Sequence, residues 1–346
     1  MKAIVYFLTF LLFMNCSNAN QKDYNVLLSE ADKLYHSGSY KEAAEKYEMA
    51  IAIGNPEEYD PYYNAACCWA LSGFSDKAFA MLNKTIDHGL HLYIDYIKQD
   101  KDLASLHSDK RWDELLAKLN ENLENINKSL PDNQKETEVI KLPEPNYDGN
   151  YSVEKAINAR RSVRSYKTEP LTLQECSQIL WAAYGLTKSI EGGPAFLRGG
   201  LRAAPSAGAL YPLDLYLVVG DVTELKAGVY KYDSKNHSLN LLTIGDKRKD
   251  LCGAALSQLM VEKAPASIVY SAIYTRTTGK YGQRGRERYV CMDLGHSAQN
   301  VYLQAQALGI GTCAIGAFLD MLVKQVVGMT KEEEPLYIMP LGKLKD

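Results

Sequence analysis

Two stretches of this chain carry the same pattern 35 residues apart. YNVLLSEADKLYHSGSYKEAAEKYEMAIAIGNP begins at Tyr24, and YDPYYNAACCWALSGFSDKAFAMLNKTIDHG begins at Tyr59. Gly38 returns as Gly73, Ala43 as Ala78 and Tyr47 as Leu82, while Tyr40 is answered by Phe74 one position out of step. A period of this length describes a pair of helices: the glycine ends the first by taking a positive φ, and the alanine lets the second approach closely. One pair cannot bury its own apolar face, so neighbours must stack. Residues 95 to 124 read as a capping continuation, with Leu103, Leu106, Trp112, Leu115 and Leu119 as the apolar stripe. Residues 22–124 are therefore expected to form an all-α unit, whose surface either binds a protein partner or packs against its neighbour.

The spacing resembles that of tetratricopeptide repeats. Residues 125–150 then carry three prolines and several charges and read as an extended tether. Beyond them the period changes. LTLQECSQILWAAYGLT sets Leu173, Cys176, Ile179, Leu180 and Ala183 on one helical face. LDLYLVV, GVYKYD, ASIVYSAIY and LYIMPLG read as strands, and the stretch from Tyr289 to Leu308 is again helical, with Gly309 to end it. Helices and strands that all need an apolar surface covered imply sheets flanked by helices over residues 151–346.

A length of 346 residues suits two such domains, and a net charge of -3 supplies no steering toward nucleic acid. The start, MKAIVYFLTFLLFMNCSNANQ, has Lys2 and then an apolar run to Met14, shorter than the roughly 20 residues a membrane-spanning helix needs. Residues 1–19 read as a signal peptide with Ser17 and Ala19 at the small-residue positions of a cleavage site. Cys16 leaves open lipid modification, in which case the membrane becomes a partner. Either route makes the protein exported, periplasmic or extracellular. The internal cysteines sit among apolar neighbours with no CxxC, which reads as core packing and no metal site. No strand leads into GxGxxG, and HExxH, GxSxG and Walker motifs are absent.

Two segments suggest ligand chemistry. Arg160, Arg161, Ser162 and Arg164 cluster ahead of a helix, as a phosphate dianion would require, though a solvated basic turn has the same composition. Lys343 and Lys345 after the last strand add cations. AAPSAGALYP, residues 203–212, is either a tight loop before a strand or a shallow floor for a flat ring with Tyr211 at its margin. Asp293, His296 and Asn300 share a helical face and read as a hydrogen-bonded packing cluster.

In this order, ARRSVRSY, AAPSAGALYPLDLYLV, YGQRGRERYVCMDLGHSAQNVYLQAQALGIGTCAIGAF and PLYIMPLG resemble the nitroreductase-like flavoprotein family, especially its SagB-type dehydrogenase branch, across residues 151–346. The resemblance implies an α+β fold and a homodimer with FMN at the subunit interface. By it, Arg160, Ser162 and Arg164, with Arg161 beside them, hold the phosphate and ribityl hydroxyls, and Lys343 and Lys345 close the anion site. Pro205, Ser206 and Ala207 then lie against the ring, and Ile315, Gly316 and Ala317 bring amides toward flavin N5 and O4, where they stabilise the reduced ring. Lys280 and Tyr281 match a Lys-Tyr pair that azoline-oxidising relatives use near the flavin. Lys280 can serve as base if burial and Arg284, Arg286 and Arg288 favour its neutral form; a solvated loop is the competing reading. The implied activity is hydride transfer between flavin N5 and a small organic or azoline-like substrate. The alternative is an inactive ligand-binding scaffold or sensor whose repeats bind a protein.

Overall fold

A computed structural model describes residues 22–54, 60–86 and 94–345, so the leader and Cys16 lie outside the described residues. The chain divides into two compact units, residues 1–128 and 129–346.

In the first unit, α1 (22–36) is followed by α2 (Tyr40–Gly54), α3 (Asp60–Leu71), α4 (Ser75–Thr85), α5 (Ile94–Ile97) and α6 (Lys110–Ser129). The turns after α1 and α3 are built alike. Gly38 and Gly73 take φ of +82° and +79°. Each donates to the carbonyl three residues back, and the next residue donates to the one five back: Ser39 to Leu34 at 2.9 Å and Phe74 to Trp69 at 2.9 Å. That pattern closes the orphan carbonyls of a helix end and demands a residue at ease in the left-handed region. Ala43 and Ala78 are fully buried, and Trp69, Leu82, Leu103, Leu106 and Leu119 fill the core.

The second unit contains β1 (Glu138–Lys141), α7 (Val153–Ala159), α8 (Leu173–Tyr184), β2 (Leu186–Ser189), β3 (Gly200–Arg202), β4 (Leu213–Val219), β5 (Gly228–Asp233) and β6 (Ser238–Ile244). Then come α9 (Arg248–Ala254), α10 (Met260–Lys263), β7 (Ala266–Ile273), α11 (Thr275–Tyr281), α12 (Val290–Ala307), β8 (Ile310–Thr312), α13 (Asp320–Val327) and β9 (Glu333–Lys343). Seven strands form one sheet in the order β1-β6-β5-β4-β7-β9-β8, every neighbouring pair antiparallel. β2 and β3 form a separate ribbon. Side chains alternate across the sheet. Leu215, Leu217, Tyr270 and Met339 pack with α8 and α12 on one face. Tyr216, Val218, Val269 and Ile338 pack with α9 and α13 on the other. Covering both faces explains the nearly unbroken apolar runs of the central strands.

The tether expected over 125–150 is not a tether. Helix α6 runs to Ser129, Leu130 and Leu142 are buried, and β1 pairs with β6 from Glu138 opposite Leu241 to Lys141 opposite Ser238. Gln134 donates to the Gly328 carbonyl at 2.8 Å. The segment is the first strand of the second unit, short and polar because it lies at the sheet's edge. Cys291 also departs from expectation: it is exposed, while Cys67, Cys68, Cys176, Cys252 and Cys313 are buried. Among the described residues, no helix is long and apolar enough to cross a membrane.

Candidate active site

Residues 203–212 lead into β4 through an unusual backbone. Gly208, Ala209 and Tyr211 have φ of +66°, +55° and +47°. Left-handed geometry costs a non-glycine residue about 1–2 kcal/mol, so Ala209 and Tyr211 must be held. Asp293, buried on α12, does much of this: it accepts from the Ser206 hydroxyl at 2.5 Å and the Ala207 amide at 3.1 Å. Ser206 Oγ in turn accepts from the Tyr211 amide at 2.9 Å. Burial raises the Asp293 carboxyl above its ordinary range, and the bonds from Ser206 and Ala207 pull it back. Asn300, two turns further along the same helix, donates to the carbonyls of Ala182 at 3.0 Å and Ala203 at 3.3 Å.

The Ser206 hydroxyl is thus committed inside the protein rather than to a ligand. Tyr211 is not at a margin either. Its ring is buried, with the Arg202 guanidinium 4.3 Å from its centroid and Tyr184 edge-on at 6.0 Å. Pro205 and Gly208 are the exposed part of the loop. Lys280 and Tyr281 cover Gly208 so closely that a Cβ there would lie 2.6 Å from the Tyr281 hydroxyl and 3.1 Å from Lys280 Nζ. Tyr289 packs edge-on against Tyr281 at 4.9 Å. Lys280 is exposed, not buried, and Arg286 lies over the Tyr274 ring at 4.1 Å, while Glu287 engages Gln283.

A second cluster forms around Tyr302. The Arg160 guanidinium lies 5.4 Å from its ring centroid, and Ser162 Oγ is 3.1 Å from its hydroxyl. The same hydroxyl accepts from the Ala314 amide at 2.8 Å, and the Val163 amide donates to the Thr312 carbonyl at 2.9 Å. Tyr302 therefore joins the basic segment to the segment containing Ile315. Ile315 itself is buried and paired to Ile338 by two backbone bonds, of 2.9 and 3.0 Å. Gly316 and Ala317 are exposed, and their amides have no hydrogen-bond acceptor among the described residues. Glycine leaves open space at 316: an added Cβ would meet only the Tyr337 ring, at ordinary contact distance.

The basic residues do not converge on one point. Arg161 folds back to cap α7, donating to the carbonyls of Asn158 at 2.9 Å and Arg160 at 2.8 Å. Arg164 and Lys345 line a cleft of about 610 Å³ together with Arg248, Lys249 and Lys263, cations absent from the sequence expectation. Lys343 is paired with Glu175, whose other oxygen accepts the Thr172 amide at 2.9 Å in the capping box of α8. A larger cavity, about 790 Å³ between α7, α8, α12 and residues 146–151, is lined by none of the expected site residues.

Asp293 and Tyr302 are nine residues apart on α12. At 3.6 residues per turn they face opposite sides, displaced by about 13 Å along the axis. The Ser206–Gly208 loop with Lys280 and Tyr281, and the Arg160–Ser162–Gly316 group, are thus two separate groups of residues on this chain.

Residues 157–343, more than half of the chain, match the model of the nitroreductase family. The chain belongs to that family, an oxidoreductase class whose members typically bind FMN. A Methanocaldococcus jannaschii protein named as a nitroreductase is 44% identical over 191 residues, covering 55% of this chain and 90% of its own length. The trifolitoxin-processing protein TfxB of Rhizobium leguminosarum bv. trifolii is 28% identical over 130 residues, 36% of this chain and 35% of its own. A crystal structure from Anabaena variabilis, also named as a nitroreductase, superposes with a TM-score of 0.52 at 29% identity over 60% of this chain and 42% of that one. One from Ralstonia eutropha gives a TM-score of 0.50 at 26% identity over 63% and 94%.

Proposed function

We propose that this protein is an FMN-dependent oxidoreductase of the SagB-type branch, acting on a small organic or azoline-like substrate. One observation carries the reading. The exposed amides of Gly316 and Ala317, without an acceptor among the described residues, lie on the segment that Tyr302 ties to Arg160 and Ser162. Such amides suit an electron-rich ring, and the nearby cations suit a phosphate. When bound, FMN supplies hydride exchange at N5. Arg160 and Ser162 would bind its tail, with Arg164 and Lys345 in the cationic cleft as further anion ligands. Lys343 would join them only by giving up Glu175, and Arg161 only by leaving its cap.

Two half-sites on opposite sides of α12 argue for a homodimer, in which Pro205 to Gly208, Lys280 and Tyr281 of one copy complete the site built by Gly316 of the other. Lys280 Nζ would take the substrate proton only once the partner copy covers it, and the Tyr281 hydroxyl would donate a hydrogen bond beside it. The SagB-type assignment rests on the order of the four sequence segments across residues 151–346. Residues 1–19 support export, which the mass of the mature N-terminus tests by separating cleavage after Ala19 from lipid on Cys16.

The purified full chain is expected to be yellow, or to take up FMN with the absorption bands of bound flavin, and to sediment as a dimer. Anaerobic mixing with NADH, NADPH and model azolines then identifies the donor. A folded chain that takes up no FMN refutes the proposal.

A further inference from the structure

Asp214, the second residue of β4, accepts from two arginines and is ion-paired with a lysine. Arg276 grips it with both terminal nitrogens at 2.8 and 3.0 Å, Arg198 donates at 2.9 Å, and Lys231 lies at 3.4 Å. Lys231 is shared with the fully buried Glu333 at 3.0 Å, so Arg198, Arg276 and Lys231 share the two carboxylates of Asp214 and Glu333. The two arginines reach further. Arg198 also donates to the carbonyls of Tyr211 and, at 3.3 Å, of Leu213. Arg276 reaches the Pro212 carbonyl at 3.4 Å. Three successive carbonyls at the exit of the strained loop are therefore held by guanidinium groups that Asp214 orients.

Arg276 belongs to the first turn of α11, and Lys280 and Tyr281 are its last two residues. That helix has seven residues and no side-chain cap at its N-terminus, so little within it fixes its direction. A planar guanidinium gripped at two nitrogens fixes orientation as well as distance. We infer that Asp214 is a positioning residue: through Arg198 and Arg276 it holds the 203–212 loop and α11 in the one arrangement that places Lys280 and Tyr281 over Gly208. Asp293 secures the loop at its entrance, and Asp214 secures it at its exit. The functional meaning rests on the FMN reading above; the mechanical statement does not.

Hydrogen exchange of the full, flavin-free chain tests it. Asp214→Asn is expected to speed exchange about tenfold or more in both 203–213 and 275–283, with β7 and β9 unchanged. Arg276→Gln should loosen 275–283 most and, through the lost Pro212 contact, the end of 203–213 to a lesser degree, whereas Arg198→Gln should loosen 203–213 alone. A readout at the side chain accompanies this: the rate at which a water-soluble acylating reagent modifies Lys280 should change about threefold or more in Asp214→Asn and Arg276→Gln, with Lys249 as an unchanged reference. Removing the charge of a mostly buried carboxylate strands its cations, so if Asp214→Asn does not fold, the two arginine variants decide on the same terms. Native rates in both segments, or equal loosening of the whole sheet, overturns the inference. FMN uptake by the unsubstituted chain is measured separately, so a failure of the cofactor reading and a failure of the clamp are distinguishable.

Discussion

Replacing Ser206 by alanine distinguishes a ligand-facing serine from one that holds its own loop. The hydroxyl donates to a buried carboxylate and accepts a buried amide, from Tyr211. The bond to Asp293 is of the charged kind, worth about 1.5–3 kcal/mol, and an orphaned Tyr211 amide adds about 1–3 kcal/mol. Ser206 is half-buried and Asp293 keeps the Ala207 amide, which places the loss near the lower end, about 2.5–4 kcal/mol. Urea denaturation of the full chain measures it, and a cycle with Asp293→Asn should return a coupling of about 1–3 kcal/mol. The pH dependence has a definite sign. Ser206 stabilises the ionised carboxylate of a group whose pKa burial has raised, so the loss is complete at neutral pH and shrinks as pH falls and Asp293 takes up its proton. A loss below about 0.5 kcal/mol with no coupling refutes the reasoning and returns Ser206 to the ligand.

Gly208→Ala combines a left-handed φ, about 1–2 kcal/mol, with a Cβ that displaces the ends of two side chains rather than backbone. The chain should fold and keep its FMN while turnover on any donor identified falls; unchanged turnover would remove Lys280 and Tyr281 from the chemistry. Tyr302→Phe forfeits the bonds to Ser162 and Ala314, so fluorescence titration should show FMN binding weakened about tenfold, the equivalent of one net hydrogen bond. Equal affinity in the two proteins counts against Tyr302 as the link. His237, kept neutral by burial between Ser177, the Pro143 carbonyl and the Tyr232 hydroxyl, has a lowered pKa. The unfolded chain therefore protonates first, and the thermal midpoint should drop as pH falls from 7 through the ordinary histidine range; His237→Gln should flatten that slope, and an equal slope in both proteins disproves the assignment.

Periodicity made the larger elements legible. The segments LDLYLVV, GVYKYD and ASIVYSAIY lie where β4, β5 and β7 form, and the apolar side of α12 packs as its spacing indicates. Strands with few apolar residues were hidden: Glu138–Lys141 and Ile310–Thr312 acquire their conformation from β6 and β9, not from local pattern. Site residues divide the same way. Gly208 and Tyr302 lie inside the motif segments, but a glycine in a loop and an aromatic residue in a helix carry no label of role. Arg248, Lys249 and Lys263 join Arg164 only through the fold, some 80 to 100 residues later in the chain. Where the sequence places Ser206 and Lys343 toward a ligand, the structure gives each an internal carboxylate partner, and composition alone does not distinguish those uses.

The short strand that opens the second unit bears on any effort to separate the halves of this protein. A cut made in the proline-bearing stretch after Glu138 would strip β1 from β6 and leave a bare row of amides and carbonyls, a template for association between molecules. A fragment meant to report on the nitroreductase-family half alone should therefore begin no later than Ser129, or insolubility will be mistaken for dependence on the helical half.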